Sequence, residues 1–290
     1  MTIRLAIVTD IHHGAPSTAK RGDMALPLMP EFARFVKDNG ATHVLDMGDR
    51  ISDQDRDADL RLEAEVADAF REVAAPVWHI NGNHDRDHLS VADNEVILGQ
   101  SLGHEVHDVE GWRLVLWRAD SRIHRSPAHR GFQLQEQDLV WLARTMQAAD
   151  RPTLVVSHVP LSGHAQTGNY YFQNNPDLST YPTSERARAA LSMARVPVVC
   201  LAGHVHWNTV TCVDGITHLT QQSLTESFTT GGEAAGAMGI LELGDTVNWQ
   251  VVGDDPITHG FRPQARRWTP PLPNFQTRPD LRAAMAQAAE

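Results

Sequence analysis

Apolar and β-branched runs recur at residues 3–9, 43–47, 77–80, 114–117, 154–157 and 198–202. Each has the length and composition of a short buried strand. Between them the spacing becomes helical. Leu28, Phe32, Phe35 and Val36 share a face ahead of the Asn39-Gly40 stop; Leu62, Val66, Phe70 and Val73 form a second stripe, and Leu139, Leu142, Ala143 and Met146 a third. Ser184 predicts the N-cap of a fourth helix running to about Arg195. Strands alternating with helices imply crossover connections and a mostly parallel sheet, which places ligands at the carboxyl ends of the strands.

Beyond Gly203 the pattern changes to strands without long helices, at 216–220, 238–243 and 246–252, which predicts a second sheet finished by antiparallel hairpins. The chain divides into one domain over 1–261 and a tail over 262–290, extended and rich in Pro and Arg (Arg262, Arg266, Arg267) before a short Ala-rich helix from Pro279. That tail is read as a packing arm through which a homo-oligomer could form. One long connection, 161–182, contains all three tyrosines, Tyr170, Tyr171 and Tyr181, and loops of that length in a compact domain usually carry function.

Composition narrows the function. The 290 residues are 41% hydrophobic and 21% charged, inside the globular range. No run of about 18 apolar residues occurs and no leader precedes the first strand, so a cytoplasmic protein with no membrane contact is expected. A net charge of −11 disfavours general nucleic-acid binding. Two cysteines, Cys200 and Cys212, are too few for a disulfide framework and are read as buried strand thiols.

The chemistry lies just past the strand ends. There the chain reads Asp10-Ile11-His12, Gly48-Asp49, Gly82-Asn83-His84-Asp85, His158-Val159-Pro160 and Gly203-His204-Val205-His206. Alternation in Asp10-x-His12 and His204-x-His206 would let an extended segment present two side chains on one side. Carboxylates, an amide and several imidazoles gathered in space make a nitrogen and oxygen donor set suited to Mn, Fe or Zn rather than to Ca or Mg. They are too many for one ion. A pair of ions about 3.5 to 4 Å apart would use them, and that arrangement serves phosphoryl displacement.

These five blocks, in this order, resemble the signature of the calcineurin-like metallophosphoesterase superfamily over about two thirds of the chain. The segment with Gly131-Phe132, Gln137 and Trp141-Leu142 is similar to bacterial class III cyclic-nucleotide phosphodiesterase-like members. The resemblance implies an α/β fold, a four-layer α/β/β/α sandwich with two mixed sheets. It also implies a first metal on Asp10, His12 and His206, a second on Asn83, His158 and His204, and Asp49 bridging both. His84 corresponds to the family's non-ligand histidine, which stabilises the transition state or protonates the leaving group, with Asp85 orienting it. Attack by a metal-bridging hydroxide on a small phosphoester, a diester ahead of a monoester or a nucleotide pyrophosphate, is the implied reaction. A metal-holding interaction module without catalysis is the alternative from another class.

The remaining histidines are read as surface or core residues. Asp53, Asp55, Asp57 and Asp59 faintly imitate a calcium loop, but Ala58 and Ala64 occupy positions that need Gly and Glu, so a solvated helix start is the reading. The 161–182 loop follows His158 and is read as a lid facing substrate, with His164, Asn169, Tyr170 and Tyr171 as candidate contacts.

Overall fold

A computed structural model describes residues 2–126, 129–265 and 280. The first sheet begins with β1 (Ile3–Val8), β2 (His43–Asp46) and β3 (Val77–His79), which run parallel and are joined through α1 (Ala25–Asp38) and α2 (Arg56–Phe70). After α3 (Val91–Leu98) the chain builds a second sheet. It is formed from β4 (Glu105–Val109), β5 (Trp112–Leu116), β8 (Thr153–Ser157), β9 (Val198–Ala202), β10 (Thr209–Val213) and β11 (Ile216–Thr220), ordered β10-β11-β9-β8-β5-β4. Between β5 and β8 come a two-stranded ribbon, β6 (His124–Ser126) with β7 (His129–Gly131), and α4 (Glu136–Gln147); α5 (Ser184–Leu191) precedes β9.

The sequence assigned every strand after Gly203 to the second sheet. Only β10 and β11 join it; β12 (Met238–Leu243), β13 (Val247–Val252) and β14 (Ile257–Phe261) return to the first sheet, giving the order β14-β13-β12-β1-β2-β3. Both sheets are therefore mixed. In the first, β12 runs antiparallel to β1, and in the second the parallel β5, β8, β9 and β11 are flanked by antiparallel β4 and β10.

Period-two alternation explains the layering. Leu5 and Ile7 of β1 point between the sheets, where they meet Leu116, Val156, Leu201 and Leu241, whereas Ala6 and Val8 pack outward against Phe32 and Val36 of α1 and Val66 of α2. The second sheet repeats the scheme: Val115, Val155 and Cys200 pack outward on Leu139, Leu142 and Met146 of α4 and Ala187 and Leu191 of α5. A four-layer α/β/β/α sandwich results. Each buried side chain of the Val or Leu kind contributes about 1.5 to 3 kcal/mol.

Local signals differ from expectation at three places. Thr183, not Ser184, occupies the N-cap of α5, and that helix ends at Leu191 rather than near Arg195. Cys200 is buried as expected, but Cys212 lies on the edge strand β10 and is exposed. Asp55 caps α2 by accepting from the Ala58 amide, so Asp53 sits in the loop before the helix rather than in its first turn. Arg266, Arg267, the Ala-rich helix and the oligomer contact proposed for the tail lie outside the described residues. Among the described residues no helix is long and apolar enough to cross a membrane.

Candidate metal centre

All five motif blocks fall in loops at the carboxyl ends of β1, β2, β3, β8 and β9, where the two sheets face one another. Their side chains converge by a route the sequence did not indicate. Asp10 (φ 52°), His12 (φ 50°), Asp49 (φ 54°), His204 (φ 70°) and His206 (φ 60°) are left-handed, five of the eight non-glycine residues with positive φ among the described residues. Tight turns, not extended alternation, bring each pair to one side. Such conformations cost about 1 to 3 kcal/mol each and persist where surrounding bonds over-determine them. Here the Asp10 amide donates to Gly48 O (2.9 Å), the His12 amide to Asp49 O (2.9 Å) and the Gly203 amide to His158 O (3.0 Å).

Two motif glycines permit the approach. A Cβ on Gly82 would lie 2.1 Å from Asp49 Oδ1, and one on Gly203 would lie 2.1 Å from Thr9 Oγ1. Neither position tolerates a side chain.

The ligand atoms form two sets that share Asp49. Asp10, His12, Asp49 and His206 offer buried atoms mutually within 4.8 Å, and Asp49, His158 and His204 do the same. Asp10 Oδ2 accepts from the His204 amide (2.9 Å) and Thr9 Oγ1 (2.5 Å), leaving Oδ1, which has no hydrogen-bond partner, 3.4 Å from His206 Nε2. Asp49 Oδ1 accepts from the His84 amide (2.8 Å), so Oδ2 lies between the sets, 3.7 Å from His12 Nε2 and 3.5 Å from His158 Nε2. Asn83 Oδ1 stands 3.3 Å from His158 Nε2, beside the second set.

Backbone carbonyls select the histidine tautomers. His158 Nδ1 donates to Met47 O (2.8 Å), turning Nε2 inward, whereas His204 Nε2 donates to Leu178 O (2.7 Å), leaving its buried Nδ1 without a partner. Outer partners of this kind orient metal-ligating imidazoles.

The electrostatics have the same sense. Burial opposes ionisation of Asp49, but His158, His84 and His12 hold its carboxyl well below the usual range. Asp10 is likewise lowered despite burial, chiefly by His206. Burial also opposes the charge on His158, which Asp49 and Asp10 nevertheless raise to about 9, while burial and the neighbouring His158 lower His204 to about 4. Two ionised carboxylates ringed by inward-facing ring nitrogens, several left unpartnered in a buried space, fit divalent transition cations.

The sequence profile of the calcineurin-like phosphoesterases matches residues 3–208. The chain belongs to that family. No curated protein matches it at a significant level. Among solved structures it superposes on a dimetal phosphatase from Danio rerio with a TM-score of 0.70 at 16% identity, covering 88% of this chain and 98% of that one. A purple acid phosphatase, PPD1, from yellow lupin (Lupinus luteus) seeds gives 0.59 at 13% identity over 89% of this chain and 53% of its own. The protein TT1561 of Thermus thermophilus gives 0.51 at 11% identity over 89% and 99%. At these identities the likeness is one of fold.

Within the family frame two expected roles change. Asp85 does not touch His84. Its carboxylate accepts from the amides of Asp49 (2.9 Å), Arg50 (2.8 Å) and Gly82 (2.7 Å), tying the β2 and β3 loops together, and Arg50 Nη2 lies 3.3 Å away. Arg50 is itself fully buried, bonded to Glu63 (2.5 Å), Asp46 (2.8 Å) and Asn81 (2.7 Å). Asp85 is thus the keystone of a buried charge network beneath the metal ligands. Instead Asp53 meets His84, its carboxylate accepting from Nδ1. Although burial raises Asp53, this bond lowers its pKa overall, and His84 presents Nε2 to the cavity.

That cavity, about 360 Å³, has Asp49, Asn83, His84, His204 and His206 on its floor and Ile123, Tyr170, Tyr171, Phe172 and Leu178 on its walls. Of the four substrate-contact candidates, Tyr170 and Tyr171 line it. Asn169 is buried and folds the loop, donating to Val205 O (3.0 Å) and accepting from the amides of Tyr171 and Phe172 (3.0 Å each). His164 accepts from the Gln166 amide (3.0 Å) and does not reach the cavity. Tyr181 packs on Trp117 and Phe132 in the core. Sequence reasoning missed Lys20 and Arg125, both of which line the cavity. Lys20 Nζ sits 3.1 Å from His12 Nδ1 and 3.5 Å from His84 Nε2, its pKa lowered by burial against the opposing pull of Asp49, Asp10 and Asp53.

Proposed function

We propose that this chain is a binuclear metal-dependent phosphohydrolase acting on phosphodiesters, with Mn or Fe, or alternatively Zn, as its metals. The observation that carries the reading is the position of Asp49 Oδ2 between two sets of buried ligand atoms, at the floor of an open cavity beside a carboxylate-held histidine. Asp10, His12 and His206 would hold one ion, Asn83, His158 and His204 the other, and Asp49 both. Two ions so held supply Lewis-acid stabilisation of the attacking and leaving oxygens and activate water for in-line attack on phosphorus.

The chain's own residues do the rest. Asp53 fixes the ring of His84 through Nδ1, so Nε2 faces the cavity, where it would pass a proton to the departing alkoxide. Asp85 keeps the amides of Asp49 and Gly82 in register and thereby the bridging carboxylate in place. Tyr170, Tyr171, Phe172 and Ile123 give the cavity organic walls on which the esterifying groups of a diester can rest. One observation favours a second reading, a phosphomonoesterase or nucleotide pyrophosphatase: two cations, Lys20 and Arg125, line the same cavity.

The test is a panel assay of Mn-reconstituted protein on bis(p-nitrophenyl) phosphate, p-nitrophenyl phosphate, cyclic nucleotides and dinucleotides. Turnover is expected with about two ions per chain and kcat/KM higher for the diester. A higher value for the monoester would transfer the assignment to the second reading. Loaded protein that turns over none of them would be the non-catalytic interaction module.

A further inference from the structure

Lys20 belongs to none of the motif blocks, and neither water activation nor leaving-group protonation uses it. Its backbone is fixed: residue 20 forms an antiparallel bridge with the buried Glu226, the Arg21 amide donates to Thr225 O (2.8 Å) and the Ser227 amide to Ala19 O (3.0 Å). From there the half-buried side chain reaches the cavity floor. An ammonium has three donors and no acceptor capacity. Among the described residues no carboxylate comes within 4.0 Å of it, and its near neighbours are His12 Nδ1 at 3.1 Å and His84 Nε2 at 3.5 Å.

Neither imidazole can satisfy those donors in the working site. With His12 Nε2 turned to the ligand set, its proton resides on Nδ1, which lies 3.3 Å from Ile51 O, and an N–H cannot accept from Lys20. His84 Nε2, at 3.5 Å, offers at most one lone pair to three donors. A half-buried cation with unclaimed hydrogens, opening onto the space above Asp49, is placed to donate to water or to an anionic acceptor that enters the cavity.

We propose that Lys20 Nζ binds a non-bridging phosphoryl oxygen of the substrate and is a specificity-determining residue, adding most to the binding of dianionic terminal phosphates and less to that of diester monoanions. This rests on the phosphohydrolase reading and deepens it. Arg125 also lines the cavity, but its side chain is largely exposed and its Nη1 is held by Asp87 (2.7 and 3.0 Å), so it is the more peripheral of the two cations.

The experiment compares wild type, Lys20→Met and Lys20→Arg as Mn-loaded full-length protein, with inorganic phosphate as the titrant in calorimetry. Metal content and kcat/KM on p-nitrophenyl phosphate and bis(p-nitrophenyl) phosphate are measured alongside. Lys20→Met should bind phosphate about 10- to 100-fold more weakly, as expected for a charged hydrogen bond. It should lose more kcat/KM on the monoester than on the diester and keep wild-type metal content, and Lys20→Arg should recover phosphate affinity at least in part. Unchanged phosphate affinity in Lys20→Met, or equal losses on the two esters, overturns the assignment, as does higher Mn affinity without any change in phosphate binding, which would make Lys20 a mere counter-charge to Asp49. Wild type that hydrolyses phosphoesters while Lys20→Met titrates identically sinks the Lys20 role alone. Wild type with no turnover sinks the phosphohydrolase reading, and the phosphate titration still decides Lys20.

Discussion

The loops that carry the metal ligands and the loop at 161–182 border one cavity, yet they use polar side chains in opposite ways. In the ligand loops the backbone is held by its own amides and carbonyls and by Asp85, so Asp10 Oδ1, Asp49 Oδ2 and His204 Nδ1 stay uncommitted and aim inward. In the 161–182 loop the polar side chains hold the backbone. Asn169 makes three such bonds, Asn175 donates to Tyr171 O (2.8 Å), and Thr180 donates to Pro160 O (2.7 Å). A short turn between strands and helices can draw on the scaffold for its hydrogen bonds, whereas a long connection must satisfy its own. Polar residues are thereby free for chemistry in the first region and consumed by architecture in the second, where only aromatic and aliphatic groups face the cavity.

The contrast can be broken at several points. Under the proposed function, in which the ring serves the reaction and not the metals, His84→Ala should lower kcat by about 10² to 10⁴ with close to two ions retained. Asp53→Asn should reproduce a smaller part of that loss, about 10- to 100-fold, by releasing the ring. Loss of metal in His84→Ala by elemental analysis would place the ring among the ligands instead. Next comes Asp85→Ala, which removes one carboxylate of the buried ion pairs around Arg50 and leaves three amides without their acceptor. Removing one partner of such a buried pair costs about 3 to 5 kcal/mol, so denaturant midpoints should fall sharply and metal content with them. If the variant were as stable as wild type but merely slower, Asp85 would after all orient His84. The smallest effect belongs to the long loop. Asn169→Ala should cost about 1 to 3 kcal/mol locally, seen as faster amide exchange at residues 171 and 172 and a raised KM with Mn content unchanged. An unaltered exchange pattern would return Asn169 to the substrate contacts.

The same distinction governs what the sequence revealed. Strand ends could be located from apolar periodicity, and donor residues just beyond five of them, Asp10 to His206, read directly as one cluster because parallel strands deliver their carboxyl ends to one side. What failed needed the path of the chain in space. The left-handed turns at Asp10, His12, Asp49, His204 and His206 left no mark in residue type, since Asp and His are tolerated there without advertising it. Asp53 resembled its neighbours Asp55 and Asp57; only the turn at Asp49 shows that it doubles back onto His84. Lys20 stands outside every block and is placed by pairing with Glu226, a contact between distant segments. The return of β12 to β1 was equally hidden, because an apolar strand carries no label for its sheet.

That return shapes how the protein is made. Of the two strands that pair with β1, β2 follows it closely in the chain and β12 far behind, so during synthesis β1 is flanked by β2 alone for most of the interval between Ile3 and its antiparallel partner Leu243. A naked apolar strand edge is the part of a nascent chain most prone to pair with the wrong neighbour. Chains halted before Met238 would leave one hydrogen-bonding edge of β1 unpaired, so chaperone dependence and inclusion-body formation should rise steeply for such fragments and fall once β12, β13 and β14 are present.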